Sequence, residues 1–304
     1  MGVMRMGYVH AKVTDLEEAK AHYAGIMGLY PTLETDGKVY YKGWDEWDHH
    51  SVVLEEGGVG VVKFGMKCRY AEDIDTYENR AATFGVLTER MSKGENYGVS
   101  DGLRCFLPNG HVLELYHGME EVGLEVGTHN PDSFPTHLRG IGAPALDHGL
   151  FAGDDVEGTE KFFVDVLDFY PTERMVATLD DGAPLIATWL TAGNKVHDIA
   201  LIKGPDAKLH HFAFQLKDWH KVTDAADLLV HTNTPVDLQP TRHGITRGET
   251  SYFFDPSGNR NEVFSGGYHA YPDRPTMTWT MDHLGKALDY YKREVTDTFL
   301  TVFS

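Results

Sequence analysis

Residues at helical spacing, all but one of them apolar, recur in four separate stretches: Leu16, Ala19, Tyr23 and Ile26; Ile74, Tyr77, Ala81 and Phe84; Val156, Thr159, Phe163 and Val166; Trp219, Val222, Ala226 and Leu229. A strand-like run precedes each: Tyr8-Val9-His10, Lys63-Phe64-Gly65-Met66, Leu146-Asp147-His148 and His211-Phe212-Ala213-Phe214. The pattern predicts an α+β chain of four helix-plus-strands units at 1–56, 61–117, 144–203 and 208–267. Residues 118–143, with Gly, Pro and charged residues and little periodicity, read as a linker. A unit this short cannot bury its sheet face alone, so two units are expected to pair around an enclosed cup, the natural place for a ligand.

The units also repeat in sequence. Gly28-Leu29-Tyr30-Pro31-Thr32 after the first helix echoes Asp168-Phe169-Tyr170-Pro171-Thr172 after the third, and His50-Ser51-Val52-Val53-Leu54 echoes His197-Asp198-Ile199-Ala200-Leu201. The stretch from Phe106 through Pro108 and Gly110 to Glu114 matches Phe254 through Pro256 and Gly258 to Glu262. Subtraction fixes the register: 114 − 63 = 51 and 262 − 211 = 51, whereas 63 − 10 = 53 and 211 − 148 = 63, so one insertion of 10 residues lies in the third unit. The two halves are duplicates.

Charge and composition narrow the partners. With 27 basic and 46 acidic residues the chain carries a formal −19, which repels nucleic acid and anionic membranes. Two cysteines, Cys68 and Cys105, suit a reducing cytoplasm, and neither a signal sequence nor an apolar run long enough to span a membrane is visible. The expectation is a soluble, cytoplasmic protein. Leu284, Leu288, Tyr291 and Val295 stand at helical spacing, followed by Phe299-Leu300. That segment is expected to cover either the cup mouth or a subunit face.

Candidate chemistry lies in the second half. His148, His211 and Glu262 sit on the early strand of unit three and on the first and last strands of unit four. Two imidazoles and one carboxylate hold a divalent metal on one face and leave the other open, the set that suits non-haem Fe(II) and O2. A strand histidine is commonly just packed, and Arg260, two residues from Glu262, is a rival cation for it. The first half acts as a control. His10 and Glu114 are present there, but Lys63 stands where His211 does, and a protonated lysine has no lone pair to give, so a Lys63–Glu114 pair is expected instead of a metal.

The residues Leu146-Asp147-His148, Leu209-His210-His211-Phe212-Ala213-Phe214, Thr241-Arg242-His243-Gly244 and Tyr252 through Phe264 resemble the type I extradiol dioxygenases of the vicinal oxygen chelate superfamily, most of all the catechol 2,3-dioxygenase (metapyrocatechase) group. The resemblance covers nearly the whole chain. It implies four βαβββ modules in two barrel-like domains: a metal-free domain at 1–135, a catalytic domain at 144–267 and a partly helical extension at 268–304. It also implies Fe(II), with Mn(II) as the alternative, on His148, His211 and Glu262, and catalytic roles around it for His197, His243 and Tyr252. His197 is then the proton carrier, and Tyr252 offers its hydroxyl to the deprotonated catechol oxygen. Strand alternation turns His210 to the opposite face from His211, where it is structural or supports the ligand. His220, His231, His269 and His283 are assigned to surface or packing. The implied activity is cleavage of catechol by O2 beside its hydroxyls, giving 2-hydroxymuconate semialdehyde, in a homotetramer. Substituted or bicyclic catechols, a glyoxalase-type lyase and a metal-free aromatic-binding protein are the rival readings.

Overall fold

The computed structural model describes residues 2–35 and 37–304. The first unit comprises β1 (Val3–Val13), α1 (Leu16–Lys20), β2 (Tyr30–Thr35), β3 (Lys38–Lys42) and β4 (Val52–Glu56); the second, β5 (Gly60–Cys68), α2 (Ala71–Phe84), β6 (Thr88–Met91), β7 (Gly102–Phe106) and β8 (Val112–Tyr116). The third comprises β9 (Leu146–Gly153), α3 (Val156–Asp165), β10 (Tyr170–Val176), β11 (Leu185–Thr191) and β12 (Ile199–Lys203); the fourth, β13 (Lys208–Gln215), α4 (Trp219–His231), β14 (Val236–Arg242), β15 (Gly248–Phe254) and β16 (Arg260–Gly266). All four are βαβββ modules. An aspartate caps three of the helices, Asp15, Asp155 and Asp218 each accepting from the backbone N–H three residues on.

Each half forms one sheet. The orders are β2-β3-β4-β1-β5-β8-β7-β6 and, read from the opposite edge, β10-β11-β12-β9-β13-β16-β15-β14, so the duplication seen in sequence is a duplication of topology. The two modules of a half join through antiparallel pairing of their first strands, β1 with β5 and β9 with β13. A further strand, β17 (Met277–Thr280), adds in parallel to β10.

One apolar core runs through both halves. Phe64 stacks on Phe151 with ring centroids 4.1 Å apart. Beyond α1 the chain widens over Ala21–Ile26 into a turn closed by a bond from Met27 N to His22 O, spanning five residues instead of four. Two consecutive side chains there, His22 and Tyr23, are buried. His22 Nε2 lies 2.9 Å from Asn261 Oδ1 and Tyr23 OH donates to Asp255 Oδ2 at 2.9 Å, so the first half grips the strand that carries Glu262. Gly28 has a φ of +76, and a Cβ there would fall 2.1 Å from Arg139 O, so glycine is required where the linker crosses.

The C-terminal stretch departs from the single helix its spacing suggested. It forms α5 (Leu284–Leu288) and α6 (Asp297–Thr301). Asp289 ends α5, its Oδ1 accepting from Thr241 Oγ1 at 2.7 Å and Lys292 N at 3.0 Å, and Arg293 adopts a φ of 62 as the chain turns away. Ser304 then pairs with Leu209 of β13 through two backbone bonds. Among the described residues no helix is long and apolar enough to cross a membrane.

Candidate active site

The register of three strands brings the candidate ligands together. Ala213 on β13 lies opposite His148 of β9 on one side and opposite Glu262 of β16 on the other, and His211 precedes it by two residues on the same strand face. The three side chains therefore emerge side by side. His148 Nε2 is 3.0 Å and His211 Nε2 3.1 Å from the same oxygen, Glu262 Oε2, and all three residues are buried. Thr250 Oγ1 donates to the other oxygen, Oε1, at 2.5 Å. Burial works against the charge of Glu262, but the bonds from His148 and His211 outweigh it and hold the carboxyl well below its usual range.

A second pair of contacts orients each imidazole. His148 Nδ1 donates to Asp147 Oδ2 at 2.8 Å, and His211 Nδ1 meets His210 Nδ1 at 2.7 Å. With both Nδ1 atoms engaged, both Nε2 atoms converge on one carboxylate oxygen, a donor set that fits a divalent metal. Arg260 is not the partner of Glu262 that the sequence allowed. It turns away to Asp237 Oδ2 at 2.9 Å and to the carbonyls of His210, Thr298 and Val302, each at 3.0 Å, so no arginine neutralises Glu262.

The counterpart in the first half is filled by cations. Glu114 Oε1 accepts from Lys63 Nζ at 3.0 Å and from Arg104 Nε and Nη2 at 3.0 and 2.7 Å, while Oε2 accepts from Asn96 Nδ2 at 2.8 Å and from Tyr8 OH. Contrary to the register read from the sequence, the place of His148 is held by Tyr8: Gly65 lies opposite Tyr8 and Glu114 as Ala213 lies opposite His148 and Glu262, so the insertion in the third unit is of 8 residues (211 − 148 = 63 against 63 − 8 = 55) and not 10. His10 takes the place of Leu150 and faces Glu55, with Nε2 to Oε2 at 2.9 Å.

A cavity of about 510 Å³ opens over the three ligands. Leu150, Met175, Ile186 and Trp189 form an apolar wall, and Leu284 and Leu288 of α5 close it from the C-terminal side, so the C-terminal segment covers the cup mouth. His197, His243 and Tyr252 all face this space. The His197 ring centroid lies 4.0 Å from that of His148, and among the described residues nothing hydrogen-bonds its nitrogens. Burial, reinforced by His148, pushes its basicity well below the usual histidine range. His243 Nδ1 donates to Leu288 O at 2.5 Å, so Nε2 accepts the Tyr252 hydroxyl at 2.9 Å. The Tyr252 phenol is pushed well above its ordinary range by burial and by Glu262, and stays protonated near neutrality. Gly244 lets the His243 loop lie against α5, since a Cβ there would be 2.4 Å from Lys286 O.

His210 does not follow simple strand alternation. Leu209 pairs with Phe151 and His211 with Leu150, so His210 is an inserted bulge residue and its ring swings beside that of His211. His269 is exposed at the cavity rim, and His220, His231 and His283 are exposed away from it. Two residues with evident tasks were given none from sequence. Asp147 takes the His148 proton, and Glu173, fully buried, accepts from Thr246 N at 2.6 Å, Tyr268 OH at 2.9 Å and Trp279 Nε1 at 2.6 Å, tying β10 to the His243 loop and to β17. A carboxylate beside a ligand histidine was the available signal for Asp147; Glu173 had none.

Comparison with known proteins agrees with this geometry. Residues 145–263 match the Glyoxalase/Bleomycin resistance protein/Dioxygenase superfamily, and residues 63–120 match the catechol 2,3-dioxygenase-like N-terminal domain. The chain is 40% identical to a metapyrocatechase of Pseudomonas sp. (strain CF600), covering 100% of this chain and 99% of that protein. It is 27% identical to a manganese-dependent 2,3-dihydroxybiphenyl 1,2-dioxygenase of Geobacillus genomosp. 3, over 96% and 95% of the two. Among solved structures, the 2,3-dioxygenase LapB of Pseudomonas sp. KL28 superposes with a TM-score of 0.88 at 38% identity, over 93% of this chain and 99% of that one. Homoprotocatechuate 2,3-dioxygenase of Brevibacterium fuscum, in complex with 3,4-dihydroxyphenylacetate, gives 0.88 at 28% identity over 99% and 92%. A buried two-histidine, one-carboxylate site in the second of two duplicated halves, a disarmed counterpart in the first and full-length identity at this level lead to one conclusion: the chain belongs to the metal-dependent extradiol ring-cleaving dioxygenases of the metapyrocatechase family.

Proposed function

We propose that His148, His211 and Glu262 hold Fe(II) and that the enzyme cleaves catechol with O2 to 2-hydroxymuconate semialdehyde, both oxygen atoms entering the product. The observation that carries this reading is the convergence of the two Nε2 atoms on Glu262 Oε2 at the floor of an apolar cavity. Bound there, the metal would template the diol and relay electrons from it to O2. His197, free of internal hydrogen bonds, is placed to accept a catechol proton and return it. The Tyr252 hydroxyl, which donates to His243 Nε2 in the free site, would turn its O–H to the deprotonated catechol oxygen when substrate binds. The apolar wall of the cavity favours, as a second reading, catechols with an apolar substituent along Met175, Ile186 and Leu284.

The finer assignments belong to the same proposal: domains at 1–135 and 144–267 with an extension at 268–304, a homotetramer, a cytoplasmic location, and iron in preference to manganese. One relative carries manganese dependence in its name, so metal analysis is decisive. Anaerobically purified protein should hold about one iron per chain, and His211→Ala should lose it, because two ligands make a much weaker site. Catechol under air should give a yellow semialdehyde. Formation of colourless cis,cis-muconate would overturn the extradiol assignment, and full iron in His211→Ala would move the site elsewhere.

A further inference from the structure

Both metal-facing histidines are preceded by an inserted residue. In the β9·β13 ladder, Leu209 pairs with Phe151 and His211 with Leu150, leaving His210 extra on β13. Further along, Ala213 pairs with His148 and Phe214 with Leu146, leaving Asp147 extra on β9. A bulge re-aims the side chain it carries. Here each re-aimed side chain reaches the Nδ1 of the histidine that follows it, Asp147 at 2.8 Å and His210 at 2.7 Å.

The proton between His210 and His211 can be placed. His210 Nε2 is 2.8 Å from Phe299 O, a carbonyl that only accepts, so His210 carries a proton on Nε2. Two N–H groups cannot face each other at 2.7 Å, so a single proton lies between the two Nδ1 atoms. A neutral imidazole that gives its Nε2 lone pair to a metal keeps its one proton on Nδ1. His210 Nδ1 is then the acceptor and His211 Nδ1 the donor. The first half shows the converse. Its ladder carries the same two inserted residues, Gly7 between Met6 and Tyr8 on β1 and Val62 between Val61 and Lys63 on β5, and neither offers an acceptor, so the half without a metal histidine pair keeps the bulges but lacks both Nδ1 acceptors.

Resting on the metal-site reading above, we infer that His210 is a positioning residue: mounted on a β-bulge and anchored to the Phe299 carbonyl of the C-terminal segment, it accepts the Nδ1 proton of His211 and holds Nε2 toward the metal. Outer partners of this kind typically change metal affinity by about 10–100-fold. The test compares wild type with His210→Val, which copies the first half, and His210→Gln, whose amide can accept from His211 and donate to Phe299 O. Anaerobically iron-loaded enzyme is challenged with a chelator and iron release is followed. His210→Val should show metal affinity lower by about 10–100-fold, with His210→Gln recovering most of it. Wild-type release from His210→Val would overturn the inference, as would equal weakness of both variants, which would mean lost packing. Should the valine variant fail to fold, nitrogen-15 histidine spectra of zinc-loaded wild type decide: a proton on His210 Nε2 alone is expected, and a proton on its Nδ1 overturns the assignment. Iron retained by His211→Ala would instead sink the site itself, an outcome these variants do not mimic.

Discussion

His197 lies against the His148 ring without bonding to it, and that arrangement separates two roles. A ligand lost costs metal; a proton carrier lost costs turnover. His197→Gln keeps polarity and approximate size, so iron content should hold while kcat falls by about 10²–10⁴-fold, the usual worth of general acid–base catalysis. Iron loss matching that of His211→Ala would make His197 a ligand, and wild-type turnover across pH 6–9 would make it structural. The metal set was legible at this scale because the equal 51-residue spacings placed Lys63 and His211 in the same frame. The task of Asp147 was not, and His210 was read as structural or ligand-supporting but on the wrong face. Alternation along a strand sends neighbours to opposite faces, and an inserted residue breaks that rule without disturbing the apolar pattern around it.

Elements whose period repeats were readable; elements held by a single distant contact were not. The four helices follow from spacing and, in three of them, from aspartate caps. The loop between β14 and β15 does not, since Thr246 and Arg247 both adopt left-handed backbone, φ 57 and 59, without being glycine. Such residues persist only where the surroundings hold them, and Glu173 holds this pair by accepting the Thr246 N–H. Glu173→Ala strips the acceptor from one buried donor, Thr246 N, and from two part-buried ones, Tyr268 OH and Trp279 Nε1; an unsatisfied buried group costs about 1–3 kcal/mol, so urea unfolding should show a loss of at least about 1 kcal/mol. Glu173→Gln keeps one carbonyl oxygen and should lose less. A change under about 0.5 kcal/mol in the alanine variant would show that the loop holds itself, as surface substitutions typically do no more than that. The widened turn after α1 escaped the sequence reading for a related reason, its partners being Asn261 and Asp255 in the other half.

At the scale of the whole molecule, the shared core should make the halves unfold together, and buried histidines outside the site add to how that unfolding responds to acid. Burial pushes His10 down to about 4, His111 to about 4 and His50 to about 3. In the unfolded chain each titrates near 6.5, so below that pH the unfolded state binds protons the folded state does not, and stability falls as pH drops toward 4. His111, whose Nε2 donates to Ala152 O at 3.0 Å across the two halves, is the cleanest probe. Between pH 6 and 5, His111→Gln should remove up to about 1.4 kcal/mol per pH unit from the slope of unfolding free energy against pH. Identical slopes would mean that His111 titrates alike folded and unfolded. The crowded surroundings of Glu114 impose a different kind of limit, on what change the first half can undergo. Introducing a histidine by Lys63→His leaves Arg104 and Asn96 on the same carboxylate and Tyr8 where the second half has its other histidine, so metal analysis of that variant should still find one ion per chain. The contacts work as a latch: with arginine, lysine and asparagine all closed on one carboxylate, no single substitution opens it to a metal, and the first half serves as the wall against which the working half is built.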